Sequence, residues 1–451
     1  MNILHITPHL GGGVGTVVRG YLNHVLSVGV DNHRVLSLDT LNNESREFLH
    51  RIGCVWIDEV FGKLEELDVQ IAKADIVLVH WWNHPLLQMV LMGRSLPACR
   101  LLLWAHISGV PSPNNFTKFI LDYPDRVVFT TPLSFNAPEI RALSSAQRDR
   151  ITTIWSTAGV NHLKQCLNER LANSRMAQPI VGYTGNLDYT KLNSDFLEAC
   201  SRLATDAIRF TVIGPLTKAF RKDYEMSGIQ NLMSVTGFVD EKTKFKLMED
   251  FRVFGYPLAR HHYGTCDQTI QEAQALGVPP VVLNNPMESY MVVHGRTGLI
   301  ARDISEYCEY VKLLLSDDSI HDELSKNAAS FAHSEYSIEK MALQWHNEFE
   351  GVMASPKSVK HSLAELRNRT LSPADIFIAS LGTYGGIFEA HLKAASDSEK
   401  ERAKAQIQCL SALGNWSSPT KSTATHYSSY FQEDVWLKEW SKITLVWDIG
   451  R

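Results

Sequence analysis

Four polar side chains carry the clearest chemical signal in the sequence. Thr265, Gln268, Thr269 and Glu272 recur at i, i+3, i+4 and i+7, which puts them on one face of a helix. Their stretch, residues 263–283 (YGTCDQTIQEAQALGVPPVVL), reads as loop, helix, glycine stop and buried strand. Thr265 and Gln268 fit the capping box that starts a helix. Gly277 suits a left-handed C-cap, and Pro279 and Pro280 forbid the helix to continue. A polar stripe at a helix N-terminus suits an anionic, hydroxyl-rich ligand, because the free N–H groups there carry partial positive charge. A solvated helix face would carry the same pattern.

Three other constellations could do chemistry. Residues 11–16, GGGVGT, are a glycine loop between a first strand and a first helix. Closely spaced glycines let a ligand approach the backbone; a tight turn would use them as well. The loop is not a dinucleotide fingerprint, because the third required Gly or Ala is Thr16 or Val18, and no Gly-Lys-Ser/Thr of a P-loop follows. Asp39, at the end of the second strand, sits where a dehydrogenase would hold a ribose. Lys191 ends the loop GNLDYTK after a strand and could face a phosphate as a point charge. His106 ends the strand LLLWAH, and Trp81, Trp82, Asn83 and His84 end the strand before it. Ligands of open α/β sheets bind at these carboxyl ends; core packing is the other use of such residues.

The elements that must position these groups alternate along the chain. Short apolar strands are expected at 2–7, 34–39, 76–82, 101–106, 127–131 and 151–155, and again at 180–185, 209–214, 232–238, 253–258, 281–283 and 297–301, with helical segments between them. That alternation predicts α/β architecture with two doubly wound parallel sheets. Helices are expected at 304–315, 320–331 and 338–352. The polar stretch 163–178 reads as a joint. Residues 355–362, SPKSVKHS, read as a linker, and the remaining tail as mostly helical to about residue 413, with Gly385–Gly386 breaking the pattern. Trp436, Trp440 and Trp447 predict that the tail docks on the body or on a partner. The domains expected are 1–165, 176–335, a crossing helix at 336–354 and an extension at 355–451.

Bulk properties agree with a globular protein. The 451 residues are 44% hydrophobic and 21% charged, with a net charge of −5, so nothing points to nucleic acid as the main partner. Seven cysteines, none in a C-x-x-C pair, point to a reducing compartment rather than a zinc site. No apolar run approaches the roughly 20 residues of a membrane span. A cytoplasmic location, with peripheral association at the inner membrane face left open, is expected.

Taken together, the glycine loop, the joint, the G-x-L-x-x-x-K loop, the V-I-G strand, V-x-x-x-G-F, Y-P-L and EAQALGVPPVV (272–282) resemble the GT-B glycosyltransferases of the large retaining group called family 4, or glycosyl transferases group 1. The resemblance covers residues 1–354 and is most specific in the second half. It implies two Rossmann-like domains facing a cleft, a helical extension outside the family pattern, and transfer of a sugar from a nucleotide sugar, UDP- or GDP-linked, to an unidentified acceptor. It implies retention, no cofactor and no metal. It assigns catalytic roles to His106, Lys191 and Asp267. Donor-binding roles fall on Gly12, Gly13, Gly185, Asn186, Lys191, Thr265, Cys266, Gln268 and Glu272, with Asn83 and His84 on the acceptor side. Two departures stand out. The family glutamate eight residues before Glu272 is Gly264 here, and the arginine after the loop glycine is Asn186. Asp267, His262 or Gln268 would then hold the sugar instead. A catalytically impaired GT-B protein acting as a binding or scaffolding subunit, and a nicotinamide dehydrogenase, are the alternatives.

Overall fold

The computed structural model describes residues 1–172, 179–205, 207–411 and 415–445. The end of the expected joint (173–178), residues 412–413 of the tail and Trp447 lie outside them. The chain divides into two compact units, Met1–Ile154 with Ala342–Arg451, and Trp155–Met341.

The first unit is built on β1 (Asn2–Thr7), β2 (Asn32–Ser37), β3 (Val55–Ile57), β4 (Ile76–Trp81), β5 (Leu96–Cys99), β6 (Leu101–Ala105), β7 (Arg126–Phe129) and β8 (Ile151–Thr153). Seven of them form a parallel sheet in the order β3-β2-β1-β4-β6-β7-β8. β4 and β6 are buried along their whole length, as strands covered on both faces are. The order reverses between β1 and β4, the switch point at which ligands of such sheets bind. The glycine loop follows β1 there, and Trp82–His84 follow β4. The helix Gly12–Val28 buries Val17, Val18, Tyr21 and Leu22 and ends at Gly29, whose φ of 71° is left-handed. Gly15 is fixed by packing, since a Cβ there would stand 1.8 Å from the Leu10 carbonyl oxygen. Gly12 and Gly13 are exposed and face open space.

The tail belongs to this first unit. The expected linker is partly a strand, β15 (Ser358–Lys360), paired antiparallel with β5. A linker reading fails here because Lys360 is an anchor: its ammonium is buried and lies 2.7 Å from both oxygens of Asp125. The Gly385–Gly386 pair starts the helix Gly385–Lys393 rather than breaking the pattern, since glycine at a helix N-terminus adds no interior cost. Helices Pro373–Ser380, Ala424–Tyr430 and Val435–Leu445 bring Phe377, Tyr427 and Trp440 into one core with Leu87, Leu91 and the inner face of the sheet. The tail thus docks on the body.

The second unit holds β9 (Ile180–Thr184), β10 (Arg209–Ile213), β11 (Met233–Val235), β12 (Val253–Tyr256), β13 (Pro280–Leu283) and β14 (Leu299–Ala301), parallel in the order β11-β10-β9-β12-β13-β14. Its switch point lies between β9 and β12, so the Lys191 loop and the loop before Gln268 leave the sheet side by side.

Because the tail shares the first unit's core, Trp440→Ala should cost about 3–5 kcal/mol, the range for emptying a buried tryptophan site. Urea unfolding followed by far-UV circular dichroism measures it. A loss below about 0.5 kcal/mol, the size of a surface change, would mean the tail is a loose appendage.

Candidate active site

Two glycines let the second unit's loops meet. Gly214, at the end of the V-I-G strand, has φ 144°, and a Cβ there would stand 2.0 Å from the Gly185 carbonyl oxygen. Gly185 itself has φ 147°. The loop that follows β9 is therefore pressed against the end of β10, and Leu187 N–H donates to the Pro215 carbonyl at 3.0 Å. Asn186 is exposed, and its carbonyl accepts from the Tyr183 hydroxyl at 3.1 Å. Lys191 is held at the loop's end: its N–H donates to Asp188, and its carbonyl accepts from Ala259 N–H at 2.8 Å. The ammonium lies 3.5 Å from an Asp267 oxygen and 5.3 Å from the centre of the Tyr256 ring. Burial works against its charge, but Asp267 leads a set of neighbours that outweighs burial and raises its pKa.

The helix below it runs Gln268–Ala275, with Gly277 at φ 67° just beyond its end. The expected capping box is absent. Asp267 is the N-cap residue and makes no side-chain cap hydrogen bond, because its carboxylate serves Lys191 and accepts from the Tyr256 hydroxyl at 3.1 Å. Gln268 is also committed elsewhere: its amide donates to the Ser156 carbonyl at 3.1 Å and accepts from Ala158 N–H at 2.9 Å. Cys266 points at the same carbonyl, at 3.2 Å, and burial pushes its thiol pKa up. Thr265 turns back toward the Tyr263 carbonyl, at 3.5 Å.

The half-buried Glu272 accepts from the Lys244 ammonium at 2.7 Å through Oε1, while Oε2 is enclosed with no hydrogen-bond donor. Burial raises its pKa against the pull of Lys244. Lys244 sits on the helix Glu241–Met248 and was missed in the sequence, where nothing but a charged helix marks it. Glu288 was missed as well. It is fully buried in a short helix and lies 3.0 Å from His262 Nε2.

Gly264 is locked by that pair. His262 Nδ1 accepts from Gly264 N–H at 3.0 Å, and a Cβ on Gly264 would stand 2.7 Å from the same nitrogen and 3.1 Å from an Asp267 oxygen. The place of the expected glutamate is filled by an imidazole. His262 and Gln268, offered as substitute sugar ligands, both already have protein partners; Asp267 lies between Lys191 and Tyr256.

In the first unit, His106 is partly exposed after β6, and burial lowers its pKa to about 3. Asn83 and His84 lie beneath the tail. Asn83 is buried at φ 63°, accepts from Gln88 and donates to the Ser380 carbonyl. His84 caps the helix Pro85–Gly93, its Nδ1 accepting from Leu86 N–H, with the His426 ring 4.8 Å away. Asp39 accepts from the Tyr430 hydroxyl of the tail at 2.9 Å, so a ribose would have to displace a tyrosine.

The comparisons fit this geometry. Residues 169–331 match the family model described as Glycosyl transferases group 1, a span holding Lys191, Lys244, Asp267 and Glu272. The fold is similar to that of Alr3699/HepE from Anabaena in complex with UDP and glucose, at TM-score 0.59 and 16% identity over 78% of this chain and 100% of that one. It is similar to sucrose-phosphate synthase from Thermosynechococcus elongatus, at TM-score 0.58 and 16% identity over 78% and 99%. A glycosyltransferase from Rickettsia africae gives TM-score 0.60 and 14% identity over 78% and 98%. No curated protein matches in sequence. The fold is GT-B: two Rossmann-like parallel-sheet units and a helical C-terminal region. Among the described residues no helix is long and apolar enough to cross a membrane.

Gly264→Ala should destabilise the second unit by about 1–3 kcal/mol, the usual cost of overpacking. The same change in a His262→Ala background should cost markedly less, because the clashing ring is gone. Urea midpoints of the four proteins measure the coupling, and simple additivity would refute the steric lock.

Proposed function

We propose that this protein is a glycosyltransferase that moves a sugar from a nucleotide diphosphate sugar to an acceptor hydroxyl, with retention and without a metal ion. One observation carries the reading. Lys191–Asp267 and Lys244–Glu272 are two half-buried ion pairs at the N-terminal end and along one face of the same helix. A helix N-terminus with an adjacent lysine suits a diphosphate, and a carboxylate with an unfilled oxygen suits ribose hydroxyls. Support comes from the group 1 match over the same residues and from neighbours whose structures hold UDP or UDP-glucose. UDP-sugars are therefore the first donors to try, and GDP-sugars the second.

The chemistry follows from charge. As the bond from the anomeric carbon to the phosphate oxygen breaks, negative charge grows on the leaving diphosphate. Lys191 and the N–H groups at the head of the helix Gln268–Ala275 stabilise that charge. Asp267 keeps Lys191 charged and aimed before the donor arrives, and Cys266 and Thr265 belong to the loop that meets the sugar. Glu272, oriented by Lys244, takes the ribose. Asn186 brings no charge, so Lys191 acts as the point charge on the phosphates. From the first unit, His106 serves the sugar, and Gly12 and Gly13 leave room at the backbone for phosphate or acceptor.

Glu272→Ala should weaken donor binding by ~10–100-fold, the worth of a hydrogen bond to a charged group. Lys191→Met should lower kcat by ~10²–10³, as loss of a transition-state charge donor does. A thermal-shift panel of UDP-, GDP-, ADP- and TDP-sugars selects the donor, and calorimetry with that donor reads affinity. Unchanged donor affinity in Glu272→Ala would refute the assignment of the site.

A further inference from the structure

Four histidines cross the first unit's sheet as one hydrogen-bonded chain. His33 Nδ1 lies 2.9 Å from His5 Nε2, His5 Nδ1 lies 2.9 Å from His80 Nε2, and His80 Nδ1 lies 3.1 Å from His106 Nε2. The residues come from β2, β1, β4 and the end of β6, which are neighbours in that order. His5 and His80 are fully buried, His33 nearly so, and His106 is the partly exposed end. Tyr21, Trp104, Trp345 and Phe349 wall the chain from water: the Trp104 ring lies 5.1 Å from His80 and 4.9 Å from His106, and the Tyr21 ring 6.0 Å from His5.

Each link joins the δ nitrogen of one ring to the ε nitrogen of the next. A neutral imidazole donates at one nitrogen and accepts at the other, so the direction of one link dictates all the others. Either every ring carries its proton on Nε2, or every ring carries it on Nδ1. The far end breaks the tie. Asp31, which accepts from the N-terminal ammonium at 2.8 Å and lies 3.0 Å from His346 Nδ1, is the carboxylate whose field reaches His33. Asp31 stands two residues before His33 and acts on it more strongly than the N-terminal ammonium paired with it, so the larger of the two opposing fields at that end is negative and favours protons pointing toward it.

We propose that His33, His5 and His80 are positioning residues that hold His106 as the Nε2–H tautomer, leaving its Nδ1 as a hydrogen-bond acceptor. His106 then receives a proton-bearing group, such as a sugar hydroxyl, rather than donating to one. That consequence rests on the proposed glycosyl transfer; the chain itself does not. Burial lowers the pKa of all four rings, with the other imidazoles and the N-terminal ammonium adding to it and Asp31 opposing it at His33, which agrees with a neutral chain.

The test is long-range proton–nitrogen NMR on the full chain with ring-¹⁵N histidine at neutral pH, which distinguishes the two tautomers and the imidazolium. Single substitutions at His5, His33, His80 and His106 assign the four resonance pairs among those of the 18 histidines. All four rings should be neutral and protonated at Nε2. His33→Leu, which removes the acceptor at the far end, should move His106 from a single tautomer to an exchanging mixture although it lies three links away. An Nδ1–H form or an imidazolium among the four in the wild-type protein overturns the proposal. So does a His33→Leu spectrum in which His106 is unmoved. The wild-type spectrum decides the direction of the chain even if His33→Leu does not fold. No donor is present in these measurements. If they show the chain while His106→Asn keeps full transferase turnover, the tautomer assignment stands and the sugar-facing role of His106 falls.

Discussion

A half-buried ammonium needs a counter-charge, and the second unit is arranged to give Lys191 one. Asp267, 3.5 Å away, comes from the loop after β12 and Lys191 from the loop after β9. The two loops are adjacent only because the strand order reverses there. A carboxylate in that position would ordinarily cap its helix by bonding the first free N–H groups. Asp267 does not, so those N–H groups keep their free polarity for an incoming anion. The absent cap and the ion pair are thus one feature, and loss of the lysine would free the aspartate to become a cap.

The same economy appears at Glu272. One oxygen is held by Lys244 and the other lacks a donor. An enclosed carboxylate oxygen without a partner is costly in a resting protein, and such groups gather where a ligand completes them. Gly264 shows the opposite case. The imidazole of His262, tied to buried Glu288, occupies the space and the N–H that a longer side chain would need. The glycine at this position is therefore built into the local packing, and the loop before the helix is braced by a histidine and a carboxylate.

What could be read from the sequence was what a single residue's backbone demands. Gly29, Gly214 and Gly277 mark left-handed or close-approach positions, and short apolar runs mark strands buried on both faces. Lys191 and Glu272 could be singled out only through the motifs that hold them, GNLDYTK and EAQALGVPPVV. Partners brought in from other elements could not be. Lys244 meets Glu272 across 28 positions, and Lys360 meets Asp125 across 235. The strand at Ser358–Lys360 looked like a linker because its pairing depends on where β5 lies, which no local pattern states.

The histidine chain was illegible for a related reason. His5, His33 and His80 stand in separate strands, and only the parallel register puts them in line; by composition they are stray polar residues in apolar runs. Their place also explains why such runs tolerate them. A buried polar group is acceptable when its bonds are satisfied, and a row of imidazoles satisfies itself, each ring filling the need of the next. The inner face of β1 and β4, carrying Leu4, Ile6, Val77 and Val79, joins the apolar core that also takes in the tail, while the opposite face carries the chain under Tyr21 and Trp345. One sheet thus separates a dry core that gives the unit its stability from a polar line that ends at the partly exposed His106.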